Sequence, residues 1–268
     1  MPHFQISNSL SLFYTLSGDA SYPPILLLHG WCADSHDWSW QIPFLESNHH
    51  VITMDLRGHG RSSAPEDIKY RPQAFAEDAV ALLKHLNIPT PLIIMGHSMG
   101  GVTASVFAAM YPELVKAIAL VDPPYWNPSA VCDYMVPSRQ NFPDTHSWAL
   151  NTYMTLAPDN VPAWMRTWYH RRVEGTPAHV VFACIDGMYG EGAIGRAELH
   201  TELVKEKRRC PRFVTYVSEE RVEKERQFGM GEFDIVVPIK GVGHWFHQVK
   251  SEEFNALLGE WLNKLEKA

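Results

Sequence analysis

The sequence predicts an α/β protein with a mostly parallel central sheet flanked by helices. Short apolar runs bounded by proline or glycine alternate with stretches that carry apolar residues at helical spacing. Such alternation is typical of a parallel sheet covered by helices on both faces. The alternation breaks after Asp122, where a segment rich in proline and tryptophan begins, and it resumes near residue 209. We therefore expect a core of residues 1–122 and 209–268, with residues 123–208 inserted over the strand ends.

The elements follow one another along the chain in a regular order. The predicted strands are Ser11–Ser17 and the runs "PPILLLHG", "HHVITM", "PLIIMG", "VKAIALVD", "PRFVTYV" and "FDIVVPI". The predicted helices begin at Pro72, at Gly100 and at Ser251. Ligands of parallel sheets bind at the carboxyl ends of the strands. The loops after Leu28, Met54 and Met95 are therefore the predicted surroundings of a site.

Composition excludes several classes of function. A net charge of −7 argues against a nucleic-acid partner. The 14 histidines are scattered without ligand spacing and the four cysteines form no CxxC pair, so we expect no bound metal and no disulfide framework. The N-terminus lacks a secretory pattern, and no apolar run approaches the roughly 20 residues that span a bilayer. We expect a soluble, cytoplasmic protein with no membrane partner.

The segment "IIMGHSMGG" predicts a nucleophile. Ser98 lies between glycines in a G-x-S-x-G pattern, after an apolar strand and before an alanine-rich helix. A sharp turn of this kind exposes the serine oxygen above the sheet. A hydroxyl needs a base, and His244 in the turn "GVGHW" is the predicted one. We interpret the nearby His247 as structural.

Two backbone N–H groups are predicted to form an oxyanion hole. Met99 stands at the start of the helix that follows Ser98, where helical N–H groups point toward the serine. Trp31 follows the strand "ILLLHG" and supplies the second donor. His29 is interpreted as a residue that braces this loop.

The chain resembles the α/β-hydrolase fold family. The matching segments are "LLLHGW", "DLRGHGRS", "GHSMGG" and "GVGHW", in the family's order. The resemblance implies a Ser–acid–His triad, a helical cap between the sixth and seventh core strands, and no cofactor. It places Asp55 to Ser62 in a structural loop at the pocket edge. Serine at position 98, where some relatives carry aspartate, disfavours epoxide or haloalkane hydrolysis.

Two carboxylates compete for the role of triad acid. In one subset of relatives the acid follows the sixth strand, and Asp122 in "ALVDPPYW" matches that position. In many others it follows the seventh strand, where this chain carries Glu220 in "TYVSEERVEKER". Glu219 and Glu220 also suit the solvated first turn of a helix. We favour Asp122, and Glu220 is the alternative.

The aromatic insertion predicts an apolar roof over the site. Trp31, Tyr125, Trp126 and Trp164 are the predicted substrate contacts, and Met154, Met165 and Met188 would add adaptable surface. Arg166, Arg171 and Arg172 could bind a carboxylate, but a solvated basic face is the favoured interpretation. We expect the substrate to be an uncharged, medium-sized ester or lactone of apolar character.

The leading hypothesis is a serine hydrolase that cleaves this ester or lactone through an acyl-enzyme, as a monomer or homodimer. Carbon–carbon bond hydrolases, perhydrolases and non-hydrolytic cyclases of the family use the same triad and remain alternatives. A hormone-type receptor that binds under the cap and turns over very slowly is an alternative of another class. Sustained turnover of aryl esters distinguishes an enzyme from such a receptor.

Overall fold

The computed structural model describes residues 2–157 and 161–267 of the 268-residue chain. Its centre is an eight-stranded sheet. The strands are β1 (His3–Gln5), β2 (Ser11–Ser17), β3 (Pro24–Leu28), β4 (His50–Met54), β5 (Leu92–His97), β6 (Val115–Val121), β7 (Arg212–Tyr216) and β8 (Ile235–Pro238). The strand order across the sheet is β1-β2-β4-β3-β5-β6-β7-β8.

The sheet is mostly parallel, as the sequence predicts. β2 pairs antiparallel with β1 and β4, whereas the six strands from β3 to β8 pair parallel with one another. The carboxyl ends of β3, β5, β6 and β7 therefore lie side by side at one edge. The short strand β1 was not predicted, because three residues are too few to show an apolar alternation.

Helices cover both faces of the sheet. The helices of the described residues are α1 (Ile42–Leu45), α2 (Pro72–His85), α3 (Met99–Met110), α4 (Ser129–Ser138), α5 (Thr145–Leu156), α6 (Ala163–Gly175), α7 (Ala178–Tyr189), α8 (Ala197–Lys207), α9 (Glu219–Arg226), α10 (Phe246–Val249) and α11 (Ser251–Glu266). Proline stands in the first turn of α2, as expected for a residue whose fixed φ suits a helix start. No helix in residues 2–157 or 161–267 combines the length and apolar character needed to cross a bilayer.

Alternate residues of each central strand pack on opposite faces of the sheet. In β3, Leu26 and Leu28 contact the apolar cluster that includes α2 and α3, whereas Ile25 and Leu27 join the cluster formed with α11. Burial of each large apolar side chain contributes about 1.5–3 kcal/mol. The buried stripe on α11 follows helical spacing and consists of Phe254, Leu258, Trp261, Leu262 and Leu265. These two apolar layers fix the strand ends that carry the candidate site.

In the described part of the segment between β6 and β7 there are five helices, α4 to α8. Within this segment α4 packs on α7, and α5 packs on both α6 and α7, while α8 contacts α3 of the core. Helices therefore occupy the stretch in which the sequence predicts an insertion. The division of the chain into residues 1–122 with 209–268 and residues 123–208 stays a prediction.

Candidate active site

Ser98 lies in the turn between β5 and α3, with a φ of 53° and a ψ of −119°. A φ in the left-handed region is unfavourable for a serine, so the surrounding structure must hold it. Glycine is required on both sides, because a Cβ at Gly96 would collide with the carbonyl oxygen of Gly100. A Cβ at Gly100 would likewise collide with the carbonyl oxygen of Leu28. The strained strand-to-helix turn has the geometry predicted from the pattern.

His244 follows β8 in a turn that contains Gly243, whose φ is 67°. Its Nδ1 lies 2.6 Å from Oδ2 of Asp122. Since an ionised carboxylate only accepts hydrogen bonds, Nδ1–H is the donor. Burial lowers the pKa of His244 below its ordinary value despite the raising effect of Asp122. The ring is therefore neutral at neutral pH, and its Nε2 is an acceptor.

Asp122 directly follows β6 and is held at a φ of 43°, with its backbone N–H donating to Thr215 of β7 at 2.8 Å. Burial alone would raise its pKa, but the hydrogen bond from His244 and the charges of His244, Arg221 and His97 together hold the pKa below its ordinary range. The side chain is therefore a buried carboxylate fixed against the imidazole.

The competing acid lies elsewhere. The side chain of Glu220 is 75% exposed on α9 and pairs with Lys224 at 2.7 Å. Its neighbour Glu219 pairs with Lys240 at 2.6 Å. Of the acids that the sequence left open, Asp122 is the one in contact with His244.

Trp31 and Ser98, the neighbour of Met99 in the chain, line the same cavity. Met99 is the first residue of α3, so its N–H lacks an intrahelical acceptor. Trp31 is tied to the inserted helices twice: its Nε1–H donates to the carbonyl of Val181 at 3.0 Å, and its own carbonyl accepts from the Tyr153 hydroxyl. These bonds fix the loop that carries the predicted second N–H donor.

A cavity of about 570 Å³ contains Ser98, Asp122 and His244 in its wall. This volume is typical of sites for small molecules. Trp31 lines the cavity, as predicted, and so does Met188. No sequence pattern selects the other apolar lining residues, which include Met135, Leu156, Ile185 and Val217.

Three predicted substrate contacts are not among the residues of this cavity wall, which corrects the prediction. The Tyr125 hydroxyl donates to Glu225 at 2.8 Å in the buried core, and Trp126 Nε1–H donates to the Tyr216 hydroxyl at 2.9 Å. Buried Tyr and Trp need a partner for their polar tip, and these two find it away from the cavity. Trp164 is 57% exposed on α6.

Asp37 joins three loops of the site, although no sequence motif singles it out. Its Oδ2 accepts from the backbone N–H of Gly30 at 3.0 Å and lies 2.8 Å from Nδ1 of His97. Its Oδ1 accepts from Nε2 of Gln248 at 2.7 Å. The other ring nitrogen of His97 lies 3.3 Å from the carbonyl oxygen of His244. One carboxylate thus connects the Trp31 loop, the Ser98 turn and the segment after His244.

Three basic side chains surround Asp37. Burial alone would raise its pKa, but His97 and His247 hold the pKa well below its ordinary value. Arg172 lies 3.7 Å away. Among the described residues, Asp37, His97 and His247 could together hold a metal ion, with ligand atoms within 4.8 Å of one another. Because Arg172 lies beside this carboxylate and also pairs with Asp34 at 3.0 Å, we interpret the group as a structural ion-pair network.

The remaining polar residues of the strand-end loops brace the backbone. His29 Nε2 accepts from the backbone N–H of Leu56 at 2.9 Å, in agreement with its interpretation as a bracing residue. Asp55 accepts from the backbone N–H groups of Ser35 and Arg61 at 2.8 and 2.9 Å. These bonds join the loop after β4 to the loop after β3.

A family model for the alpha/beta hydrolase fold matches residues 23–179, more than half of the chain. The chain belongs to the α/β-hydrolase fold family. The matched range contains Trp31, Ser98 and Asp122, whereas His244 lies beyond it.

Relatives within the family carry several activities in their names. The chain is 33% identical over 122 residues to a serine hydrolase-like protein of Danio rerio, covering 45% of this chain and 37% of the relative. It is 29% identical over 130 residues to epoxide hydrolase 3 of Xenopus tropicalis, covering 48% and 35%. The matches span little more than a third of these curated relatives. The structure of a thermophilic esterase from Thermogutta terrifontis has a TM-score of 0.82 at 21% identity, covering 99% of each chain.

Proposed function

We propose that the protein is a serine hydrolase that cleaves a carboxylic ester or lactone of a medium-sized, largely apolar molecule. The observation that carries the proposal is the 2.6 Å hydrogen bond between His244 and Asp122 in the wall of the cavity that also contains Ser98. An oriented imidazole beside a serine held in a strained turn is the arrangement that activates a hydroxyl.

In the proposed reaction, Ser98 Oγ attacks the carbonyl carbon while Nε2 of His244 takes its proton. Asp122 stabilises the imidazolium that forms. The negative charge on the carbonyl oxygen is stabilised by the backbone N–H groups of Trp31 and Met99. The carbon–oxygen bond to the leaving group then breaks, and His244 returns the proton to the departing alkoxide. Water then attacks the acyl-enzyme, with His244 taking its proton and returning it to Ser98 Oγ, and the carboxylic acid is released.

Two features support an ester or lactone as substrate. The cavity wall is largely apolar, with Leu156, Ile185 and Met188 from the inserted helices. The nucleophile is a serine, although a relative is named an epoxide hydrolase. An alkyl-enzyme ether formed from a serine and an epoxide would resist hydrolysis, whereas an acyl-enzyme ester does not. The proposal requires no cofactor, and the cytoplasmic location and the monomeric or homodimeric state stay predictions.

A fluorophosphonate probe followed by an ester and lactone panel tests the proposal. We expect one covalent adduct, located on Ser98 by peptide mass spectrometry, and sustained turnover of at least one class in the panel. Heat-denatured protein is the control for non-specific labelling. An intact Ser98 after treatment would contradict the assignment of the nucleophile. A single slow turnover with a large ligand-induced rise in Tm would favour the receptor.

Replacing Asp37 with asparagine should disturb the positioning of all three loops that meet at its carboxylate. We expect kcat for the ester substrate to fall about 100-fold, with little change in KM, because small displacements of reacting groups are costly. Steady-state kinetics on the purified variant measure this loss, and a thermal melt measures the accompanying fall in Tm.

Asp78→Asn is the matched control for Asp37→Asn. Asp78 is also a buried carboxylate, on α2, and accepts from Arg57 Nε at 2.6 Å. It is not among the residues that line the cavity. The control should lower Tm without a comparable loss of kcat. A wild-type kcat for Asp37→Asn would show that Asp37 does not position the site.

A further inference from the structure

Arg221 lines the Ser98 cavity. It is the only Lys or Arg among the described residues that does so. It belongs to the first turn of α9, next to the carboxyl end of β7. Its side chain is 30% exposed. A partly exposed guanidinium in a largely apolar wall is out of keeping with an entirely uncharged ligand, because its donors need acceptors.

The contacts of Arg221 with its neighbours are long, so they leave much of the hydrogen-bonding capacity of its guanidinium unused. One terminal nitrogen lies 3.8 Å from Oδ1 of Asp122, beyond hydrogen-bond distance. The other lies 3.5 Å from Oδ1 of Asn127, at the limit of such a bond. Both contacts are longer than the 2.7–2.9 Å of a strong charge-assisted hydrogen bond. Asn127 also lines the cavity.

The carboxylates near Arg221 differ in whether they compete with an incoming anion for its guanidinium. Glu219 and Glu220 are exposed and paired with Lys240 and Lys224, so they do not compete for the guanidinium. Asp122 turns its Oδ2 toward His244 and its Oδ1 toward Arg221. Arg221 thus stands on the side of Asp122 that faces away from the imidazole. An anion bound there would lie near Oδ1 of Asp122, whereas the imidazole lies at Oδ2, so the negative charge of the ligand must stand at a distance from the reacting carbonyl.

We propose that Arg221 and Asn127 form an anion subsite that selects esters or lactones carrying a carboxylate some carbons away from the reacting carbonyl. This inference rests on the proposed function and narrows its substrate class. A guanidinium binds a carboxylate through two parallel N–H···O bonds, which gives both affinity and orientation. The apolar wall would contact the carbon chain between the two groups. The substrate class is therefore the half-ester of a dicarboxylic acid or a lactone with a pendant carboxylate.

A matched pair of substrates tests the subsite. The probes are the para-nitrophenyl half-esters of succinic, glutaric and adipic acid, each compared with its neutral methyl diester analogue. For the wild-type protein we expect kcat/KM to be higher for at least one half-ester than for its neutral analogue. In Arg221→Gln this preference should fall about 10- to 100-fold, through KM, as expected for loss of a hydrogen bond to a charged group. Arg221→Lys should restore part of it.

Arg226→Gln is the control, since Arg226 lies on the same helix, pairs with Glu223 at 2.6 Å and is not among the cavity residues. It should leave the preference unchanged.

An equal fall of kcat on charged and neutral esters in Arg221→Gln would overturn the inference, because Arg221 would then act only through Asp122. Neutral esters hydrolysed as fast as half-esters by the wild type would overturn it too, with the proposed function intact. Loss of the proposed function itself would appear separately, as no ester turnover and no adduct on Ser98.

Discussion

Ser98→Ala should lower kcat for ester hydrolysis about 10⁶-fold, the size of effect expected when a serine nucleophile is removed. The alanine has no oxygen to form the acyl-enzyme, so the residual rate would come from water attacking in the cavity. Alanine fits the space of serine, and the fold should persist. Single-turnover and steady-state kinetics on the best ester of the panel measure the loss, and fluorophosphonate labelling should disappear with it.

Ser105→Ala is the matched variant for this measurement. Ser105 is a buried serine on α3, the helix that follows Ser98, with its Oγ 3.0 Å from Nε2 of His200 and outside the cavity wall. Its replacement should reduce Tm while kcat stays near that of the wild type. Turnover by Ser98→Ala at more than a hundredth of the wild-type rate would mean that another group forms the covalent bond.

Asp122→Asn should lower kcat about 10⁴-fold, because the amide neither holds the productive tautomer of His244 nor stabilises its charged form. Asparagine has nearly the volume of aspartate, so the effect should appear in turnover more than in Tm. The pH dependence of kcat/KM reports the pKa of His244. That pKa should fall in the variant, because the imidazole loses the anionic partner that raises it.

Glu220→Gln tests the alternative acid directly. This carboxylate is exposed and paired with Lys224, and exposed pairs contribute about 0–1 kcal/mol, so the variant should behave as the wild type. The reverse outcome, a severe loss in Glu220→Gln with an active Asp122→Asn, would show that the acid follows β7. Because both variants exchange one oxygen for an NH₂ group, their kinetics are directly comparable.

The parts of the site that local sequence determines were predictable. Strand β2 has the predicted bounds, and the turn at Ser98 depends on glycines that stand next to it in the chain. The order of the family's segments indicated His244. These features need only neighbouring residues or a family pattern, so the sequence alone was sufficient.

The remaining features depend on contacts between distant parts of the chain. The choice between Asp122 and Glu220 required the positions of both relative to His244. The sequence around Tyr125 and Trp126 is the same whether these side chains face a ligand or the core. Their hydrogen-bond partners in the structure place them in the core.

The contacts of Asp37 are a clearer case of this limit. It meets His97, which is 60 positions away, and Gln248, which is 211 positions away. No pattern in "ADSHDW" reveals such a partner. A polar residue in a short loop is ordinarily solvated, and only the fold shows that this one is buried.

Helix α5 is hydrogen-bonded to two loops of the candidate site. The hydroxyl of Tyr153 holds the carbonyl of Trp31, and the carbonyl of Leu156 accepts the backbone N–H of His244 at 3.2 Å. The helices over the cavity and the two loops that carry the proposed oxyanion donor and the proposed base are therefore joined through α5. We expect a change that tilts α5 to move both loops at once, and so to alter kcat together with KM.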